Sequence, residues 1–288
     1  MIMANRRLPE WLTVKAPKRG AYEEMAGYLN SMGLHTVCQS ARCPNIGECF
    51  AKKTATFLIL GDVCTRSCAF CGVSHGLPLA VDSEEPRRVA EAAARMGLAY
   101  IVVTSVTRDD LPDGGASQFA ETIRELKSAI SGAKVEVLIP DFGGDDEALK
   151  TVVDAGPFVL NHNVETVPRL YSTVRPDAIY ERSLHLLETA GGGGASIFTK
   201  SGLMLGLGES RDEVLEVLRD LRGVGCDMVT IGQYLQPSRT NLPVVEYIHP
   251  DQFDEFRAIG EEMGFHRVMS GPFVRSSYEA GEFSPKQP

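Results

Sequence analysis

The amino-acid sequence predicts a parallel α/β fold, either an open doubly wound sheet or a full or partial barrel, carrying an appendage before the first strand. Three observations predict it. From Thr56 onward short β-rich runs alternate with helical stretches; the alternation gives six βα units; and the residues before Thr56 lack it, being rich in Cys, Pro and Gly.

The strands are expected at Phe57–Leu60, Tyr100–Val106, Val135–Ile139, Phe158–Asn161, Ser196–Leu205 and Met228–Gln233. Each is a short apolar run rich in β-branched or aromatic residues. Between them lie PRRVAEAAARMG, ASQFAETIRELKSA, DEALKTVVDAG, ERSLHLLETAG and RDEVLEVLRDLRGVG. Their apolar residues recur at helical spacing, and most end in a glycine stop signal. Repeated strand–helix–strand alternation requires right-handed crossovers and hence a parallel sheet. The tetraglycine Gly191–Gly194 reads as a flexible helix-to-strand turn, since no Lys-Ser/Thr follows to make it a phosphate loop. After the sixth strand come a Pro-punctuated loop, LQPSRTNLPVVEYIHP, a helix DQFDEFRAIGEEMG, and a last apolar segment running into GPFVRSSYEAGEF.

The chain has 288 residues and a formal net charge of −9, which disfavours broad contact with nucleic acid or an anionic membrane. A local exception is the basic N-terminal stretch with Arg6, Arg7, Lys15, Lys18 and Arg19. No apolar run approaches the roughly 20 residues that span a bilayer. The opening MIMANRRLPEWL lacks the apolar middle and cleavage site of a secretory signal, so a cytoplasmic location is expected.

Six of the seven cysteines fall between Cys38 and Cys71. Crowded thiols in an intracellular chain of this size point to metal ligation rather than disulfides. Cys226, alone in GVGCDMV, reads as a small core residue. The strongest signal is Cys64-Thr-Arg-Ser-Cys68-Ala-Phe-Cys71, a Cys-x3-Cys-x2-Cys just after the first strand. Three thiolates on one loop can hold three irons of a [4Fe–4S] cube and leave the fourth open for a small molecule. The loop also follows the carboxyl end of a strand, where parallel α/β folds bind their ligands. A second trio, Cys38-Gln-Ser-Ala-Arg-Cys43-Pro-Asn-Ile-Gly-Glu-Cys49, stands upstream. Two trios can mix into zinc sites or feed one cluster with a spare; their separation favours two clusters.

The spacing of Cys64, Cys68 and Cys71, with Phe70 before the last, resembles the radical S-adenosylmethionine (SAM) superfamily. The resemblance implies a partial (β/α)6 TIM-like barrel of the radical SAM type, with residues 1–54 as an N-terminal extension carrying auxiliary cluster ligands, 55–235 as the barrel and 236–288 as a C-terminal extension closing it. It implies Cys64, Cys68 and Cys71 as ligands of a [4Fe–4S] cluster whose open iron chelates SAM and whose electron cleaves it to a 5′-deoxyadenosyl radical. Gly114 and Gly115 in TSVTRDDLPDGG, and Gly202, Gly206 and Glu209 in GLMLGLGE, resemble SAM-contact motifs, although turn and packing roles fit the glycines equally well. Asn161, Asn163 and Glu165 fall on alternating positions at the end of the fourth strand, suited either to SAM or substrate contacts or to a hydrogen-bonded barrel rim. Of the six histidines, His162 is the one placed near this chemistry.

The pair TVCxxAxCPNxGEC and GxxCTRxCxFC, together with DDLPDGG, NHNVETVPRL, LQPS and GPFVRSSYEAGEF, is similar to the lipoyl synthase family from about Trp11 to Phe283. That family has an auxiliary [4Fe–4S] cluster, which implies Cys38, Cys43 and Cys49 as its thiolate ligands and Ser277 as the fourth. The implied reaction inserts two sulfurs at C6 and C8 of a protein-bound octanoyl-lysine, positions that only a radical can attack, with the auxiliary cluster consumed as sulfur donor. The implied partners are octanoylated lipoyl carrier domains or H protein, an electron donor such as flavodoxin or ferredoxin, and an iron–sulfur carrier that rebuilds the cluster. Two departures stand out: Gln39 and Ser40 where two acidic residues are expected, and Asn241 where a histidine is expected. They bear on substrate contacts and cluster tuning rather than on ligation. A methylthiotransferase or biotin-synthase-like enzyme would share Cys64–Cys71 without the second trio and serine tail, and a zinc-stabilised module or electron carrier would release no 5′-deoxyadenosine from SAM.

Overall fold

The computed structural model describes residues 8–13, 20–52, 54–192 and 197–283. The basic residues Arg6, Arg7, Lys15, Lys18 and Arg19, and Gly193, Gly194 and Ser196, lie outside the described residues.

The N-terminal segment holds α1 (Ala21–Ser31), the short strand β1 (His35–Thr36), and two short helices, α2 (Val37–Ser40) and α3 (Ile46–Ala51). The barrel starts with β2 (Thr56–Ile59), followed by the small pair β3 (Val63–Cys64) and β4 (Ser74–His75). Then α4 (Glu85–Met96), β5 (Tyr100–Ser105), α5 (Ala116–Ala129), β6 (Lys134–Leu138), α6 (Asp146–Asp154), β7 (Val159–Asn161), the short α7 (Tyr171–Val174), α8 (Tyr180–Gly192), β8 (Phe198–Leu205), α9 (Arg211–Gly223) and β9 (Met228–Gln233) alternate. The chain closes with α10 (Pro250–Glu262), β10 (Arg267–Gly271) and α11 (Ala280–Phe283).

The main sheet runs in the order β1-β2-β5-β6-β7-β8-β9-β10, with β1 antiparallel and all the others parallel. It is a partial barrel of the expected kind, in which the six expected strands are joined by a seventh parallel strand from the last apolar segment. Residues 236–288 therefore contribute β10 to the same sheet as the six units before them.

Local chemistry accounts for the elements. α4 begins with Pro86 in its first turn and ends at Gly97 in the left-handed conformation. α9 opens with a reciprocal cap between Ser210 and Glu213. Along β9, Val229 and Ile231 pack into the helical layer with Val217, Leu218 and Leu221, while Thr230 and Gly232 face the barrel interior. Cys226 is fully buried in that layer, as expected of a core residue. Among the described residues no helix is long and apolar enough to cross a membrane.

The path after β10 matters most for the site. From Gly271 at the strand's carboxyl end the chain passes down through the barrel. A Cβ on Gly232 would lie 2.1 Å from the Val274 carbonyl oxygen, and one on Gly202 would lie 3.0 Å from Ser276 Oγ. Two strand glycines thus make room for the tail. Further on, Gly281 packs on the side chain of Tyr100 at the amino end of β5. The tail's other side meets the N-terminal segment: Asn45 donates to the Phe273 carbonyl at 2.7 Å, Tyr278 donates to Glu48 at 3.3 Å, and Lys52 pairs with Glu279.

Candidate active site

The Cys64–Cys71 loop is built on backbone hydrogen bonds. Gly76 N donates to Cys64 O at 2.9 Å, Thr65 N to Thr107 O at 3.0 Å, Cys71 N to Cys68 O at 3.0 Å, and Ala69 N to Val174 O at 2.9 Å. Asn241 Nδ2 donates to Cys71 O at 2.8 Å and to Ala69 O at 3.2 Å, so this departure from the family pattern is a brace on the cysteine loop itself. Arg66, between the first two cysteines, forms a two-pronged bond to Asp109 and pairs with the buried Asp141 at 2.7 Å. Burial opposes ionisation of Asp141, yet Arg66 beside it holds its carboxyl down to about 2.

The upstream trio sits on a compact helix–turn–helix. Cys38 lies on α2, Cys49 on α3 and Cys43 between them. Thr36 caps α2 by accepting from Gln39 N, and its hydroxyl donates to the Gln39 side chain at 2.9 Å, which gives Gln39 a local structural role. The two cysteine segments touch: a Cβ on Gly72 would come within 3.3 Å of Ala41 Cα and of the Ser40 carbonyl.

One cavity of about 450 Å³ opens between these segments and the barrel mouth. Five of the six close-set cysteines line it (Cys38, Cys43, Cys64, Cys68 and Cys71), as does Ser277; Cys49, half-buried, is not part of the lining. Burial pushes the Cys38 and Cys68 thiols up to about 12 and those of Cys49 and Cys71 up to about 11. Such thiols ionise when a metal takes the place of the proton. Among the described residues no three His, Cys, Asp or Glu side chains converge on a single ion. A cube differs in taking each thiolate on a separate iron.

Asn163 and Glu165 also reach the cavity. Asn163 Nδ2 donates to Glu165 Oε1 at 3.0 Å and to Ser276 Oγ at 2.8 Å, while its Oδ1 has no partner among the described residues. Burial raises the Glu165 pKa, and Arg175 counteracts it. Arg175 is only 8 % exposed; its Nη1 donates to the Asn163 carbonyl at 2.7 Å, and its buried Nε has no partner among the described residues. Two buried polar atoms of opposite hydrogen-bonding sense on one wall suit a ligand with both an amino and a carboxylate group, as SAM has.

Other expected residues stand elsewhere. Asn161 is fully buried and outside the cavity lining, and neither of its side-chain polar atoms has a partner among the described residues. Gly114 and Gly115 are packing glycines away from the cavity wall: added Cβ atoms would meet Phe142 at 3.0 Å and Leu60 at 2.4 Å. Gly206 packs against Gln233 and the Glu246 carbonyl, and Glu209 accepts from Gly206 N and Leu207 N, so both brace the loop after β8. His162 is buried, its Nδ1–H donating to the Ile139 carbonyl and its Nε2 accepting from Ser183. Burial lowers its pKa to about 4, which keeps it neutral.

Sequence reasoning passed over Arg175 and Lys200. The signal for Lys200 was its alternation with Gly202 and Met204 along β8, which places a lysine on the inner face of a strand.

The comparisons with known proteins bear on the family and the fold. Residues 58–221 match the family model of the Radical SAM superfamily. The lipoyl synthase of Caldanaerobacter subterraneus subsp. tengcongensis is 60% identical over 274 residues, covering 95% of this chain and 96% of that one. That of Caldicellulosiruptor saccharolyticus is 58% identical, covering 97% and 98%. Among solved structures, the [FeFe]-hydrogenase maturase HydG superposes with a TM-score of 0.58 at 16% identity over 86% of this chain and 62% of that one. Methylornithine synthase PylB superposes with a TM-score of 0.54 at 15% identity over 88% and 72%. At those identities the structural likeness speaks for the fold.

Proposed function

The chain belongs to the lipoyl synthase family of the radical SAM superfamily, and on that premise we propose how its own residues divide the work of inserting two sulfurs at C6 and C8 of a protein-bound octanoyl-lysine. The observation that carries the assignment is the single cavity lined by members of both cysteine trios and by Ser277. When bound there, the two [4Fe–4S] clusters and SAM supply the electron, the hydrogen-abstracting radical and the sulfur.

In this reading Cys64, Cys68 and Cys71 hold one cluster, and Cys38, Cys43, Cys49 and Ser277 hold the other. Arg175 and Asn163 receive the polar head of SAM, and Glu165, oriented by Asn163, takes its amino group. Leu58, Val106, Ile139, Met204, Tyr234 and Val274 supply an apolar wall for an eight-carbon chain and exclude water from it. Arg66, locked between Asp109 and Asp141, ties the cysteine loop to the barrel rim. Octanoylated carrier proteins are the substrates; H protein or lipoyl domains as the particular carriers, flavodoxin or ferredoxin as reductant, an iron–sulfur carrier for repair and a cytoplasmic setting complete the proposal.

The test is an anaerobic single-turnover reaction with an octanoylated lipoyl-domain lysine peptide, followed by mass spectrometry. Wild type yields lipoyl product; Cys43→Ala yields 5′-deoxyadenosine and no sulfurated product. Wild-type protein that makes 5′-deoxyadenosine but inserts no sulfur refutes the assignment within the superfamily.

A further inference from the structure

A buried polar chain crosses the barrel below the cavity. Lys200 on β8 donates to Glu136 Oε1 on β6 at 2.8 Å, and both side chains are 1 % exposed. Glu136 Oε2 accepts from the Tyr100 hydroxyl on β5 at 2.5 Å, and burial beside that carboxylate raises the tyrosine pKa. The same Lys200 ammonium donates to the main-chain oxygen of Ser276 at 2.5 Å, 76 residues further along the chain. That oxygen belongs to the peptide bond joining Ser276 to Ser277.

We propose that Lys200, aimed by Glu136 and Tyr100, is a positioning residue that fixes the Ser276–Ser277 peptide and so presents the Ser277 hydroxyl to the auxiliary cysteines. The inference rests on reading Ser277 as the fourth ligand of the auxiliary cluster. A planar peptide has few ways to turn once its oxygen is held. Ser276 is gripped twice, its carbonyl by Lys200 and its hydroxyl by Asn163, and Gly202 leaves the space for it. Ser277, the next residue, lines the cavity with Cys38 and Cys43. A buried ion pair adds little to stability that apolar side chains of the same volume would not. What an apolar pair cannot do is reach across the barrel and hold a main-chain oxygen in register. A ligand bound by a hydroxyl, weaker for iron than a thiolate, gains most from being held in place by the protein.

The test compares Lys200→Met/Glu136→Gln, which removes both charges together and leaves none uncompensated, with Tyr100→Phe and Ser277→Ala. Two readouts avoid turnover. Hydrogen exchange on the cluster-free chain should show residues 273–279 exchanging about tenfold faster in the double variant, with β8 and β9 unchanged. Mössbauer spectra of iron-57 in a Cys64→Ala/Cys68→Ala/Cys71→Ala background should show about one iron in four distinct from its thiolate-held neighbours. That distinct signal should vanish in Ser277→Ala and fall at least twofold in the double variant. If Ser277→Ala loses the signal and the double variant keeps it, Lys200 does not position the serine. If Ser277→Ala keeps it, the reading of Ser277 fails, and the proposal with it. Should the double variant not fold, Tyr100→Phe decides: a signal weaker than wild type supports the network, and an unchanged one overturns it.

Discussion

Two single residues carry much of the site's geometry. Gly232 has no side chain because the Val274 carbonyl occupies its place. Gly232→Ala must push the tail out of the barrel or shift β9, and we expect a loss of about 1–3 kcal/mol in chemical denaturation. A variant as stable as wild type would mean that the tail does not fill the barrel at this point. Asn241 holds two carbonyls of the Cys64–Cys71 loop from the loop after β9. Asn241→Ala leaves both without that donor. In the proposed ligand set, iron release to a chelator from the Cys64–Cys71 site should quicken several-fold, while release from the auxiliary site stays as it was. These two residues also show what a sequence conceals. Asn241 was visible as a departure, but only the fold places its amide on Cys71. Lys200 sits in a run that reads as an ordinary strand, and the partner it needs, Ser276, lies 76 positions away.

Among elements, α9 has the most exposed dependence on charge. Glu213 accepts from Arg169 at 2.7 and 3.0 Å and reaches back to Ser210 N at 2.8 Å, and the arginine above all holds its carboxyl down to about 2. The folded value lies below the unfolded one, so the stabilisation is complete above about pH 4.5 and disappears as pH falls through about 2. Glu213→Gln should therefore cost about 1 kcal/mol at pH 7, screened by partial exposure, and the gap to wild type should close between pH 4.5 and 2. A gap that does not change with pH would show that the side chain's shape, and not its charge, caps the helix. The helices and strands were the legible part of the chain, because alternation and periodicity are local. Met228–Gln233 forms as read, and α5 spans the stretch expected for it. β10 was harder to read: Arg267–Gly271 is short and carries polar residues, and it becomes a strand because β9 offers it a parallel edge. The GLMLGLGE motif was legible as a motif, and the fold adds that Glu209 accepts from Gly206 N and so shapes the loop after β8.

At the scale of the whole molecule, the N-terminal segment and the tail are joined to each other largely by exposed or partly exposed polar contacts, Tyr278 with Glu48 and Lys52 with Glu279, each worth little alone. In the proposed ligand set, the auxiliary cluster ties these two segments together, whereas Cys64, Cys68 and Cys71 lie on one loop. Reconstitution should therefore raise the thermal midpoint by several degrees, and most of the rise should be lost in Cys38→Ala/Cys43→Ala/Cys49→Ala and kept in Cys64→Ala/Cys68→Ala/Cys71→Ala. Equal losses in the two triple variants would count against a tie made by the auxiliary site.

The tail's route through the barrel also sets an order of events at the ribosome. Glu136 and Lys200 are translated well before Ser276, and at typical rates the 76 residues after Lys200 take roughly 4–15 s to appear. Throughout that interval the chain has no Ser277 to place beside Cys38 and Cys43. In the proposed ligand set, an iron–sulfur unit delivered to Cys38, Cys43 and Cys49 in those seconds would lack its serine ligand. Completion of the auxiliary site thus belongs to the finished chain.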